Sequence, residues 1–170
     1  SVILTTGGQS YPGCGTRGDG YAWAAAFGHT IHSRRPALTP ITTDAQWVRE
    51  LKGVTIAEVG VRVQTATGEV LDDGRPKTRG SFLFTHFGLS GPAVLDVSRL
   101  VSGHPRPREL TLVCDFLPAA RVESLTSELR AACQAAGKKR LLSLLEAHIG
   151  QRISKRLIEA LLAVAGASAD

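Results

Sequence analysis

Three groups of residues in this 170-residue chain have types and spacing that could do chemistry. The first is Thr6-Gly7-Gly8, followed by Ser10 and Tyr11. Glycines placed after the short β-prone run Val2 to Thr5 let backbone N–H groups approach a phosphate or a flavin edge, and the same residues also make an ordinary turn. Ser10 and Tyr11 would bring polar groups into that cleft. The second is His86, the histidine of the glycine-rich run Phe84-Thr85-His86-Phe87-Gly88-Leu89-Ser90-Gly91-Pro92. Its charge changes near neutral pH, which suits a proton-transfer catalyst. No acid lies close to it in sequence, so a hydrogen-bonded structural histidine is the competing reading. The third is Ser90 with Gly91, where Pro92 opens a helix whose N-terminus can receive an anionic substrate group. Gly88-Leu89-Ser90-Gly91 misses the G-x-S-x-G spacing, so a hydrolase nucleophile is not indicated.

Other motifs carry less. Gly13-Cys14-Gly15-Thr16-Arg17-Gly18 matches G-x-G-x-x-G as a string, but it does not follow directly on a strand as a dinucleotide loop must. It reads as a glycine-rich connector. Cys14, Cys114 and Cys133 are widely spaced, and His29, His32, His104 and His148 are scattered, so neither a disulfide framework nor a metal site is indicated. Lys138-Lys139-Arg140 falls at an expected helix start, where positive charge opposes the helix dipole. That run is either a solvated face or an anion contact.

The elements that must position these residues follow from periodicity. Tyr21 to Phe27 is helix-forming, with Asp19 placed as N-cap and Gly28 as the stop. Pro36 and Pro40 hold Ala37-Leu38-Thr39 in an extended crossing. Val59, Val61 and Val63 alternate with Gly60, Arg62 and Gln64 as in a half-buried strand. Ala66-Thr67-Gly68 is a hairpin turn returning through Glu69-Val70-Leu71, and Asp72-Asp73-Gly74 turns the chain into a strand over about Thr78 to Thr85. Leu110 to Phe116 is another strand. After Pro118 the period changes: Val122, Leu125, Leu129 and Cys133, then Leu141 to Leu145, then Ile153 to Leu162 predict three helices separated by Gly137 and Gly150.

Hydrophobic residues make up 43% and charged residues 21%, enough apolar material for a core and against disorder. No apolar run approaches the roughly 20 residues that cross a bilayer, and Ser1-Val2-Ile3-Leu4 does not look like a cleavable leader. The expectation is a cytoplasmic protein with reduced cysteines. The absence of an initiator Met fits a trimmed domain or a processed N-terminus. The net charge of +5 is concentrated in residues 121–156, where eight Lys or Arg face three acids (Glu123, Glu128, Glu146). Such a region attracts an anion or nucleic acid, although it lacks aromatics for base stacking.

Leu4 to Pro12, Thr16 to Tyr21 and Phe84 to Pro92 together resemble the HI0933-like flavoproteins, with weaker likeness at Arg35-Pro36-Ala37-Leu38 and Leu51-Lys52-Gly53. These are bacterial FAD-dependent oxidoreductases in which a second region is inserted into a Rossmann-type FAD domain. The resemblance implies an α+β fold, a mainly antiparallel β-barrel-like part with a small helical bundle, preceded by a strand-loop-helix fragment of the FAD domain. Residues 1–35 would close the FAD domain, 36–117 would be the β-rich insert and 118–170 its helical subdomain. Thr6, Gly7, Gly8, Ser10 and Tyr11 would lie against FAD in the full-length protein, with Ser90 and Gly91 in a substrate cleft and His86 the catalytic candidate. The partners implied are the rest of the FAD-binding domain and a small-molecule substrate, with NAD(P)H an optional donor. The chain lacks the family's opening strand–GxGxxG–helix unit, so FAD retention by this piece alone is not expected. The leading expectation is an inactive insert of an FAD-dependent oxidoreductase. Its alternative is a self-contained basic module that binds nucleic acid or another anionic partner.

Overall fold

The computed structural model describes residues 1–72, 79–137 and 139–167. They fall into two units, Ser1–Pro36 and Ala37–Asp170. In the first, a short 3₁₀ turn at Pro12–Cys14 leads into helix α1, Asp19–Ala26. The glycine-rich string thus lies in a turn and a helix lead-in, with no strand before it. Val2 to Thr5, expected as a strand, has no strand partner among the described residues and forms none. Gly18, and not Asp19, is the N-cap of α1, because the chain enters the helix at φ 82, a left-handed torsion that glycine adopts freely.

The second unit is built around one long strand, β2 (Thr55–Gln64). Val59, Val61 and Val63 are buried on one face of it while Glu58 and Arg62 are exposed, as the alternation requires. Ala66-Thr67-Gly68 turns the chain, Gly68 at φ 84, into β3 (Val70–Leu71). The expected turn at Asp73-Gly74 and the strand start at Thr78 lie outside the described residues. β4 (Arg79–Thr85), β5 (Gly88–Ser90) and β1 (Ile41–Thr42) continue the sheet, and β6 (Thr111–Asp115) joins β2 on its other side. Every pairing is antiparallel. Gln64 pairs with both Val70 and Thr111, so β3 and β6 flank β2 on opposite sides. β1, β3 and β6 therefore each keep one edge unpaired among the described residues of a curled, half-barrel sheet.

Helix α2 (Gln46–Glu50) sits near β4 and β5, and α3 (Pro92–Gly103) packs on β2 and β4. Gly80 permits that approach: a Cβ there would lie 3.4 Å from the Ala93 nitrogen. Leu38, in the expected extended crossing, is instead left-handed at φ 54, and the next residue, Thr39, donates its N–H to the Ser98 hydroxyl at 3.1 Å.

The chain ends in three helices, α4 (Val122–Ala135), α5 (Leu141–Ile149) and α6 (Lys155–Val164). Ile153, Leu157, Ile158 and Leu162 are buried in the same core as Val63, Phe82 and Phe84. Each such side chain contributes on the order of 1.5–3 kcal/mol by leaving water. The helical tail thus shares the core of the sheet. Only part of the expected apolar face of α4 is covered: Leu125 and Leu129 are half-buried, whereas Val122 and Cys133 are exposed.

Candidate nucleic-acid interface

The basic tail owes its shape to one turn. The Ile149 carbonyl accepts N–H bonds from Arg152 at 2.9 Å and Ile153 at 3.0 Å, ending α5. Ile153, 3% exposed, plugs this turn into the core, and the Ser154 carbonyl then accepts from Leu157 at 3.0 Å and Ile158 at 3.1 Å to start α6. With Ile153, Leu157 and Ile158 turned inward, helical geometry leaves Arg152, Lys155 and Arg156 on the exposed side of the same turn. Lys155 lies 3.7 Å from Glu146 of α5, and Arg156 donates to the Glu50 carbonyl of α2 at 2.7 Å. The exposed Arg152 guanidinium enters no ion pair among the described residues. Lys139 and Arg140 precede α5, Arg140 as its N-cap, while Lys138 lies outside the described residues.

The residues singled out by motif are placed elsewhere. In the first unit Thr6 and Gly7 fold back on their own chain: a Cβ at Gly7 would come 2.8 Å from Thr16 Cγ2, and one at Gly20 would strike the Thr6 hydroxyl. Gly8 faces the Tyr21 hydroxyl, and Arg34 lies 4.5 Å over the Tyr21 ring. Ser10 and Tyr11 are exposed, and the Tyr11 carbonyl accepts from the Thr16 hydroxyl at 3.2 Å. These glycines serve close approach within the segment. With no strand leading into them among the described residues, they do not have the strand–turn–helix form of a dinucleotide pyrophosphate loop.

In the second unit His86 occupies the exposed turn between β4 and β5, its ring edge-on to Phe87 at 4.9 Å. Ser90 ends β5, and Gly91 is the N-cap of α3, at φ 92, where a Cβ would come 2.6 Å from the Ser81 carbonyl oxygen of β4.

None of His86, Ser90 and Gly91 lines a cleft of about 820 Å³ between the edges β1 and β6. That cleft is walled by Ile41, Trp47, Phe82, Phe84, Leu112 and Phe116. It also holds Cys114, whose thiol burial pushes up to about 12. A thiol so held stays protonated near neutral pH and is a poor nucleophile. Among the described residues no cluster of three or more His, Cys, Asp or Glu could hold a metal, and no helix is long and apolar enough to cross a membrane.

Charge count alone locates the basic tail in the sequence, but not the turn that organises it. The contact with α2 has no sequence signal, because Arg156 and Glu50 are 106 residues apart.

A family model described as "HI0933-like protein barrel and H2TH domain" matches residues 35–169. The ribosomal RNA dihydrouridine synthase of Escherichia coli (strain K12) is 31% identical over 156 residues, covering 92% of this chain and 35% of that protein. The enzyme of the same name from Haemophilus influenzae is 32% identical over 162 residues, covering 94% and 35%. A 3-dehydro-bile acid delta(4,6)-reductase of Clostridium scindens is 31% identical over 121 residues, 69% of this chain and 27% of that protein. The chain thus spans about a third of the length of the curated relatives it matches.

These matches correct the leading expectation from sequence, an insert of an FAD-dependent oxidoreductase. The relatives covering more than nine-tenths of the chain are named for ribosomal RNA, and the matched region carries an H2TH domain. The alternative, a basic module for nucleic acid, is the better supported.

Proposed function

The chain belongs to the HI0933-like family, and from that premise we propose that its second unit is an RNA-binding module whose helical tail holds the phosphate backbone of ribosomal RNA. The observation that carries this reading is the turn between α5 and α6, where buried Ile153 and Leu157 fix Arg152, Lys155 and Arg156 on one exposed surface. Cations held by a rigid turn reach phosphates with little loss of side-chain freedom. The scarcity of rings in the tail favours backbone contacts to folded RNA over stacking on single strands. Ribosomal RNA in the names of two relatives supplies the class of partner. With ribosomal RNA as the partner, a cytoplasmic setting is proposed as part of the same reading.

We assign no cofactor to these residues, and no nicotinamide donor. Thr6, Gly7, Gly8, Ser10 and Tyr11 are proposed to shape the first unit. That unit exposes Val2 (81%), Ile3 (83%) and Phe27 (73%), and its helix α1 is apolar with no buried residue. A helix apolar all round belongs in an interior, so further polypeptide of a longer protein is proposed to cover it.

The test is anisotropy titration of a labelled ribosomal RNA hairpin at several salt concentrations. Arg152→Glu with Lys155→Glu should weaken binding at least tenfold, and should flatten the slope of log K on log salt by roughly 0.7–0.9 for each phosphate left without its cation. Binding that ignores both salt and these substitutions would remove the proposal.

A further inference from the structure

The hydrogen bonds around α2 join the basic tail to a second, distant feature of the same unit. The Glu50 carbonyl at the end of α2 accepts from Arg156 of α6 at 2.7 Å. Three residues on, Gly53 donates to the Phe84 carbonyl of β4 at 2.9 Å, and Phe84 donates back to Val54 at 3.0 Å. In front of α2, Arg49 Nε donates to the Thr43 carbonyl at 3.0 Å, and Thr43 donates to the Phe87 carbonyl at 3.2 Å. Residues 49–53 are thus held between the first turn of α6 and the β4–β5 turn that carries His86 and Phe87.

The side chains along this path are of two kinds. Exposed cations run from Arg152 and Lys155 through Arg156 to Lys52 and Arg49. Three acids lie among them: Asp44, 3.4 Å from Arg49; Glu50, taken by the Gln46 amide at 2.8 Å; and Glu146, beside Lys155. At the far end stand the two rings, His86 exposed and Phe87 half-exposed, crossed at 82°. The other Phe and Trp rings of this unit, Trp47, Phe82, Phe84 and Phe116, face the core or the cleft, while His148 is exposed on α5 and its Nδ1 lies 2.9 Å from the Leu144 carbonyl.

From this path we infer that the RNA surface extends off the helical tail onto the sheet, with Lys52 meeting a phosphate and the His86–Phe87 turn stacking an unpaired base. The inference rests on the proposed RNA reading and adds to it a kind of RNA, a helix with an adjoining unpaired nucleotide. Phosphates fix position along a charged path, while a splayed base needs an exposed ring. His86 has no other evident use on this surface: it lies outside the cleft and makes its ring contact with Phe87 alone among the described residues.

The experiment uses the full-length protein and two RNAs, a stem with an unpaired loop and the same stem as a blunt duplex. Lys52→Glu should weaken both about tenfold. His86→Ala should weaken the stem–loop by roughly five- to tenfold, as removal of one base stack does, and leave the duplex unchanged. His86→Phe should restore stem–loop binding. Both residues are exposed, and unchanged circular dichroism melts would confirm intact folding. Arg152→Glu with Lys155→Glu serves as the reference. If that pair abolishes binding while Lys52→Glu and His86→Ala stay within twofold of wild type, the extension is wrong and the tail reading stands. An effect of Lys52→Glu without one of His86→Ala overturns the stacking role. If no variant changes affinity, the RNA reading fails and takes this inference with it.

Discussion

Arg156 donates through Nη2 to the main-chain carbonyl of Glu50 at 2.7 Å, tying the first turn of α6 to the last residue of α2. The carbonyl of a helix end is an acceptor without an intrahelical donor, and a guanidinium satisfies both its lone pair and the negative pole of the helix. Arg156→Ala should cost about 1 kcal/mol, since the side chain is exposed, and lower Tm by roughly 2–4 °C in a scanning melt. An unchanged Tm would show that water replaces the guanidinium at no cost.

Leu157 is fully buried where tail and sheet share their core. Leu157→Ala should destabilise the chain by about 2–5 kcal/mol, read as a lower urea midpoint. A change below about 1 kcal/mol would mean that the tail is only loosely seated.

Gly91 has φ 92, and a Cβ there would sit 2.6 Å from the Ser81 carbonyl oxygen. Gly91→Ala must move β4 or α3 and hold an L-residue in a sparsely populated torsion, a cost of at least about 1–3 kcal/mol. Soluble, wild-type-like expression and melting of the variant would contradict the packing described.

Cys114 titrates at about 12 in the folded chain, raised from 9.0 by desolvation. Burial favours the neutral thiol, so its contribution to stability is complete below about pH 9 and declines as pH rises from 9 to 12, when the unfolded thiol ionises first. At about pH 8 a thiol reagent should label the exposed Cys14 and Cys133 promptly and Cys114 only on unfolding. Fast labelling of all three would open the cleft to solvent.

The sheet could be read from sequence because Val59, Val61 and Val63 repeat with the period of the pleat, and α5 and α6 because their leucines and isoleucines recur at helical spacing. Edges and caps escaped, since they depend on what lies across from them. Val2 to Thr5 has strand composition but no neighbour to pair with among the described residues. The N-cap of α3 is Gly91, at φ 92, and the close approach of Ser81 that excludes a side chain there comes from another strand and has no local signal. His86 drew attention as a titratable group, and only its place on an outward turn shifts the question to what it could stack against. For the tail, a charge count located the surface, whereas its link to α2 left no local trace.

β1 and β6 end the sheet beside an apolar cleft, with no further strand along either edge among the described residues. A bare strand edge is a template for any extended chain that meets it. A purified sample of these 170 residues therefore carries its own route to self-association. Dimers and longer oligomers should grow with concentration and on storage, and Val113→Lys on β6 should slow the part of that growth that uses this edge.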